Sequence, residues 1–193
     1  MKHSFFAMLS RMKYINRWAL MRNTRMENIC EHSHEVAVLA HALALLQNRR
    51  FGGKVNEQMC VMLGVYHDAP EILTGDLPTP VKYDNPAIRE AYRQVETVSA
   101  NKLLSLLPQD LETEYRRWFL PDVQALSEEL RIVKAADKLS ALIKCIEEIK
   151  QGNHEFAKAK QSTEAALREM KLPAVDCFLD EFLPAYELTL DEL

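Results

Sequence analysis

The chain has 193 residues, 48% hydrophobic and 27% charged, with a formal net charge of -4. That is enough chain for one domain around one sizeable core, with the balance of a soluble globular protein. The mildly acidic charge gives no sign of a nucleic-acid polymer or an anionic membrane as partner.

The N-terminal stretch MKHSFFAMLSRMKYINRW lacks a long apolar run, because Arg11, Lys13 and Arg17 interrupt it. Neither a signal peptide nor a membrane span is expected. Residues 3–15 read as a first short helix, with Phe6, Leu9 and Met12 near one face. Asn28 followed by Glu31 is a capping pair that opens a second helix. This helix extends to about Arg50, carries Val36, Leu39, Ala40 and Leu43 at core spacing, and stops at Gly52-Gly53.

A third helix begins near Asn56-Glu57 and carries Met59, Met62, Leu63 and Tyr66 toward His67. Pro78, Pro80 and Pro86 exclude a continuous helix from Gly75 to Pro86, which is expected to be an ordered loop. Residues 87–107 and 110–119 read as helices ended by Pro108 and Pro121. The strongest periodic run, 126–150, places Ile132, Val133, Ala136, Leu139, Ser140, Ile143 and Ile146 on a broad face. A last helical pair covers roughly 154–171 and 174–183. Glycine is scarce and β-branched alternation nearly absent, so residues 1–193 are expected to form one all-α domain. Cys30, Cys60, Cys145 and Cys177 are widely separated and form no CxxC. They read as reduced packing residues of a cytoplasmic protein.

The doublet His67-Asp68 ends an apolar stretch in VMLGVYHDAPEILTGDLPTP. A neutral imidazole and a carboxylate side by side are costly in an ordinary core and suit a shared divalent cation. His32, in NICEHSHEVAV, and Asp137, in IVKAADKLSALIK, could supply two more ligands. Each has an ordinary alternative: His32 as a capped surface residue, Asp137 paired with Lys134 or Lys138. Glu71 stands four residues after His67 and three after Asp68. It would share their face if the helix continued, although Pro70 disfavours α geometry at residue 69. His34 and His41 are too far apart on one helix face to chelate together. Lys82 reads by default as a solvated lysine, with phosphate contact as the alternative.

The order H…HD…D resembles the signature of HD-domain metal-dependent phosphohydrolases. The strings INRWALMRN, ENICEHSHEVA, YHDAPEILTGDLPTPVKY and KAADKLSALIKCIEE resemble the bacterial 5'-deoxynucleotidases of the YfbR type, over essentially the whole chain. The resemblance implies an HD-domain helical bundle with His32, His67, Asp68 and Asp137 as metal ligands. It implies Glu71, with Asp68, at the catalytic centre beside the attacking water. Arg17, Trp18 and Asp76 correspond to substrate-binding positions, with Trp18 a wall against the ribose 2'-hydroxyl; without the resemblance, Arg17-Trp18 would read as an aromatic anchor with a basic neighbour. The implied substrates are deoxyribonucleoside 5'-monophosphates, the cofactor a divalent ion such as Co2+ or Mn2+, and the assembly a homodimer. Alternatives are a cyclic nucleotide or polyphosphate as substrate, or a non-catalytic nucleotide-binding protein.

Overall fold

Helix follows helix from one end of the chain to the other. In the computed structural model, residues 3–82 and 84–193 are described, apart from the side chain at position 79. The α-helices run α1 Phe5–Leu9, α2 Ile29–Phe51, α3 Glu57–Tyr66, α4 Glu71–Thr74, α5 Thr79–Lys82, α6 Pro86–Leu104, α7 Gln109–Phe119, α8 Ser127–Lys150, α9 Ala157–Glu169 and α10 Pro173–Glu181. Tight 3-10 turns cover Ser10–Tyr14, His154–Phe156, Leu183–Glu187 and Leu190–Glu192. Among the described residues the only extended pairing is one antiparallel bridge, Asn16 to Asn28. The all-α class expected from the sequence holds.

The boundaries have local causes. The Asn28 side chain accepts from the backbone N–H groups of Cys30 and Glu31, both at 3.0 Å, and so starts α2. Gly52 ends that helix with φ +68°, a left-handed turn that glycine adopts at little cost. Asn85 caps α6 by accepting from Ile88, and Pro86 fits the first turn, where no N–H is required. The expected loop from Gly75 to Pro86 is not wholly irregular, since it contains the single turn α5. Proline at the second position of that turn lacks a donor that the turn does not use.

The chain forms two compact units. The first comprises Met1–Leu20, Met26–Ser33 and Tyr66–Ala125. Its core gathers Phe5, Met12, Ile29, Ala69, Ala100, Leu103, Leu104, Leu107 and Phe119. The aromatic buried from the first helix is Phe5, whereas Phe6 is mostly exposed, a shift of one residue from the expected face. The reason is tertiary: Phe5 meets Tyr115 and Phe119 with ring centroids 5.0 and 5.6 Å away.

The second unit comprises Met21–Arg25, His34–Val65 and Leu126–Leu193. Val36, Leu39, Ala40 and Leu43 of α2 and Ile132, Val133, Ala136, Leu139, Ile143 and Ile146 of α8 belong to its core, as their spacing predicts. Helix α9 lies along α8. A Cβ on Gly64 of α3 would stand 2.9 Å from Cα of Ala37, so glycine is required for that approach. A buried carboxylate, Glu148, ties Met21–Arg25 to α8: it accepts from Thr24 N (2.8 Å), Thr24 Oγ1 (2.7 Å), Arg25 N (3.2 Å), Asn153 Nδ2 (2.9 Å) and Lys144 Nζ.

Candidate metal and nucleotide site

The donor group sits in the first unit where two helices begin or end. His32 lies in the first turn of α2 and is almost fully buried. Helix α3 closes at Tyr66, and residues 67–70 form a turn before α4 opens at Glu71. In that turn Ala69 N donates to Tyr66 O and Glu71 N to Asp68 O, both three residues back. The continuous helix that would align His67, Asp68 and Glu71 is therefore absent. Pro70, which disfavours α geometry at the residue before it, accounts for the break. The turn still brings the doublet and Glu71 into one unit by a different route.

One ligand atom each from His32, His67 and Asp68 lies within 4.8 Å of the others. Nε2 of His67 is 3.2 Å and Nε2 of His32 3.5 Å from Oδ2 of Asp68. The two imidazole rings meet edge to face with centroids 5.2 Å apart. Two imidazole nitrogens and one carboxylate oxygen converging at this scale fit a borderline divalent cation. Burial alone would raise the Asp68 carboxyl. The His67, His32 and Arg17 side chains outweigh that and hold it well below the usual carboxylate range. An ionised oxygen facing two imidazoles is the form that binds a metal. Asp137 lies half-buried on α8, in the second unit.

Glu71 is nearly fully buried, and its Oε2 makes no hydrogen bond. Burial, then the charges of Asp68 and Asp76, push its carboxyl up to about 9, against the opposing pull of Lys82. Lys82 is part-buried and ion-paired rather than freely solvated. Its Nζ is 2.8 Å from Oε1 of Glu96, 3.7 Å from Oε1 of Glu71 and 4.6 Å from the centre of the Tyr92 ring. Burial would lower this ammonium, but the Glu96 and Glu71 carboxylates hold it above the usual lysine range.

The Arg17-Trp18 pair belongs to the same unit. The Asn16–Asn28 bridge joins this segment to the chain just before α2, through Arg17 N to Glu27 O and Ile29 N to Ile15 O, both 2.9 Å. Oε2 of Glu27 accepts from Arg17 Nη1 at 2.7 Å and from the Trp18 indole Nε1 at 2.8 Å. Trp18 has φ +62°, a left-handed backbone that is rare for a bulky residue. Its backbone N–H donates to the Asp76 carboxylate, while Arg17 also draws on that carboxylate electrostatically. Asp76 is nevertheless raised overall, with burial as the main cause. The structure thus places Arg17, Trp18 and Asp76 in one unit, with Glu27 against the first two and Glu96 against Lys82. His34 and His41 are exposed, consistent with a surface role.

An all-helical chain carrying this donor set has the character of a metal-dependent phosphohydrolase. The solved structure of an HD-domain phosphohydrolase from Listeria innocua is similar, with a TM-score of 0.78 and 25% identity, over 95% of this chain and 88% of that one. An HD phosphohydrolase of cyanophage S-2L, solved with dA and one catalytic Zn2+ ion, shares the fold with a TM-score of 0.66 at 17% identity, over 95% and 99% of the two chains. A 5'-deoxynucleotidase of Vibrio vulnificus is 50% identical over 189 residues, 98% of this chain and 97% of that protein. The family model described as 5'-deoxynucleotidase YfbR-like matches residues 4–186, and the chain belongs to that family. Among the described residues, no helix is long and apolar enough to cross a membrane.

Proposed function

We infer that the protein is a metal-dependent 5'-deoxynucleotidase, a phosphoric monoester hydrolase that converts deoxyribonucleoside 5'-monophosphates to deoxynucleoside and phosphate. The observation that carries this reading is the convergence of His32, His67 and Asp68 in the unit that also holds Glu71, Arg17, Trp18 and Asp76. Membership of the YfbR-like family supports the substrate class.

His32, His67 and Asp68 hold the divalent ion, with Asp137 as the fourth ligand on the strength of the family resemblance. Co2+, Mn2+ and Zn2+ all suit a mixed imidazole and carboxylate set, and the cyanophage relative holds Zn2+. When bound, such an ion lowers the pKa of water from about 15.7 toward about 7 and offsets charge on the phosphoryl oxygens. Glu71 orients the attacking water, and in its ionised form its Oε2, which no protein donor occupies, takes up the water proton. Hydrolysis forms one phosphorus–oxygen bond and breaks the bond to the 5'-oxygen, which leaves with a proton. Arg17 and Asp76 bind the nucleotide. The Trp18 indole closes the space that a ribose 2'-hydroxyl would need, the steric route to rejecting an added hydroxyl. Residues 1–193 act as one HD phosphohydrolase domain, in a cytoplasmic homodimer.

The deciding experiment is a phosphate-release panel. Purified protein with Co2+, Mn2+ or Zn2+ should hydrolyse 2'-deoxynucleoside 5'-monophosphates faster than the matching ribonucleotides. No release with any metal overturns the enzymatic reading. Faster turnover of cyclic nucleotides or polyphosphates replaces the substrate class. Calorimetric titration of Asp137→Ala with Mn2+ tests the fourth ligand, because unchanged affinity removes Asp137 from the set. Sedimentation analysis tests the dimer.

A further inference from the structure

Glu27 is buried, with 7% of its surface exposed, and opens the string ENICEHSHEVA. A buried carboxylate is costly unless its oxygens receive strong donors. Glu27 receives two, and both come from the proposed nucleotide-recognition pair. A single oxygen, Oε2, accepts from the Arg17 guanidinium at 2.7 Å and from the Trp18 indole N–H at 2.8 Å. Charge-assisted bonds of this length are among the stronger hydrogen bonds in proteins.

The backbone makes the same point. Trp18 occupies left-handed space at φ +62°, and such a conformation persists only when its surroundings impose it. The bridge at Asn16–Asn28 and the bond from Arg17 N to Glu27 O hold the main chain on the preceding side. Asp76 takes the Trp18 backbone N–H. An indole ring turns about two side-chain torsions, which backbone bonds do not set. The bond from the indole Nε1 to Glu27 acts on the ring itself and orients it. The Arg17 guanidinium, 5.8 Å from the Trp18 ring centre, is oriented by the same oxygen. Glu27 therefore couples the two residues, so that neither can turn without losing a shared acceptor.

We propose that Glu27 is a positioning residue that sets the deoxyribose selectivity of the enzyme by orienting Trp18 and Arg17 together through one carboxylate oxygen. This rests on the nucleotidase reading above. A wall against a 2'-hydroxyl rejects it only if the wall cannot swing aside, and Glu27 supplies that stiffness. The residue touches no reacting atom, so its effect falls on the choice between sugars more than on the chemical step.

The test compares Glu27→Gln with wild type in the phosphate-release assay, reading kcat/KM for a deoxynucleotide and its ribonucleotide. Gln keeps the length and one acceptor but removes the charge and adds a donor beside two donors. The deoxy/ribo ratio should fall about tenfold or more, the worth of roughly one charge-assisted hydrogen bond. Glu27→Asp, which keeps the charge with a shorter reach, should lie between the two and serves if the Gln variant folds poorly. An independent readout uses the two tryptophans of the chain. With Trp118→Phe as background, the remaining indole N–H resonance belongs to Trp18, and it should move and lose exchange protection in Glu27→Gln. A ratio that stays within twofold of wild type while melting temperature drops makes Glu27 a structural anchor and overturns the proposal. An unmoved indole resonance overturns it equally. A wild-type enzyme without deoxy preference would instead defeat the nucleotidase reading, and the indole resonance would still decide whether Glu27 holds the ring.

Discussion

Nζ of Lys82 stands 3.7 Å from Oε1 of Glu71, with the Glu96 carboxylate 2.8 Å from the same ammonium. The lysine is thus a fixed positive charge beside the carboxyl proposed to handle the water proton. It opposes the burial and the two aspartates that push Glu71 up to about 9. Removing it leaves His67 as the remaining charge that opposes those influences.

Lys82→Met should raise the proton affinity of Glu71 further. The acid limb of the kcat profile should move to higher pH, with turnover at pH 7 falling roughly tenfold, since one pKa unit corresponds to about 1.4 kcal/mol. A pH–rate series on both proteins checks this, and superimposable profiles would separate Lys82 from the action of Glu71.

Glu71→Ala removes the group proposed to accept the water proton but none of the three convergent metal donors. Metal and substrate affinity should be retained, while kcat falls by about 10²–10⁴, the usual contribution of a positioned acid–base group. Binding titrations with a deoxynucleotide beside turnover measurements decide it. Undiminished turnover would exclude Glu71 from the mechanism.

Trp18 combines an indole and a strained backbone, and two variants separate them. Trp18→Ala and Trp18→Gly should both narrow the deoxy/ribo ratio, because each deletes the ring. The glycine variant should be the more stable of the two by about 1 kcal/mol, since φ +62° costs glycine little and alanine more. Paired melting curves and kinetics test this. A preserved ratio would return Trp18 to the role of an aromatic anchor.

Glu148 governs stability rather than catalysis. Burial would raise its carboxyl, but the bonds donated by Lys144, Thr24 and Asn153 win and hold it well below the usual range. A depressed folded pKa stabilises the protein above the unfolded glutamate value of about 4.3, and that gain is lost as pH falls below it. Glu148→Ala removes the carboxylate partner of the buried Lys144 ammonium, which keeps its bond to the Arg25 carbonyl, and should cost about 3–5 kcal/mol at neutral pH. Melting temperatures from pH 7 down to pH 3 should therefore converge for wild type and variant, and a constant gap would refute the assignment.

Much of this arrangement was legible in local chemistry. Asn28 as a cap, Gly52 as a stop and the apolar faces of residues 36–43 and 132–146 all act within one or two turns of chain. The His67-Asp68 doublet was equally legible, because a charged pair closing an apolar run needs a partner. Glu71 would share the face of His67 and Asp68 only if the helix continued, and instead the chain breaks at 67–70 and Glu71 opens a new turn. Local periodicity likewise cannot say which of two adjacent aromatics is buried: both Phe5 and Phe6 meet Tyr115, but Phe5 also packs against Phe119 and is the buried one.

Helix periods and caps were determined by the sequence itself, since each depends on interactions between residues a few positions apart. Glu27 beneath Arg17 and Trp18, Lys82 between Glu71 and Glu96, and the left-handed turn at Trp18 were decided only by tertiary structure. The side-chain partnerships among them span 9 to 14 residues of chain, and no spacing rule connects side chains that meet only after the helices have packed. A buried charge reveals its purpose through what surrounds it, and those surroundings exist only in the folded protein.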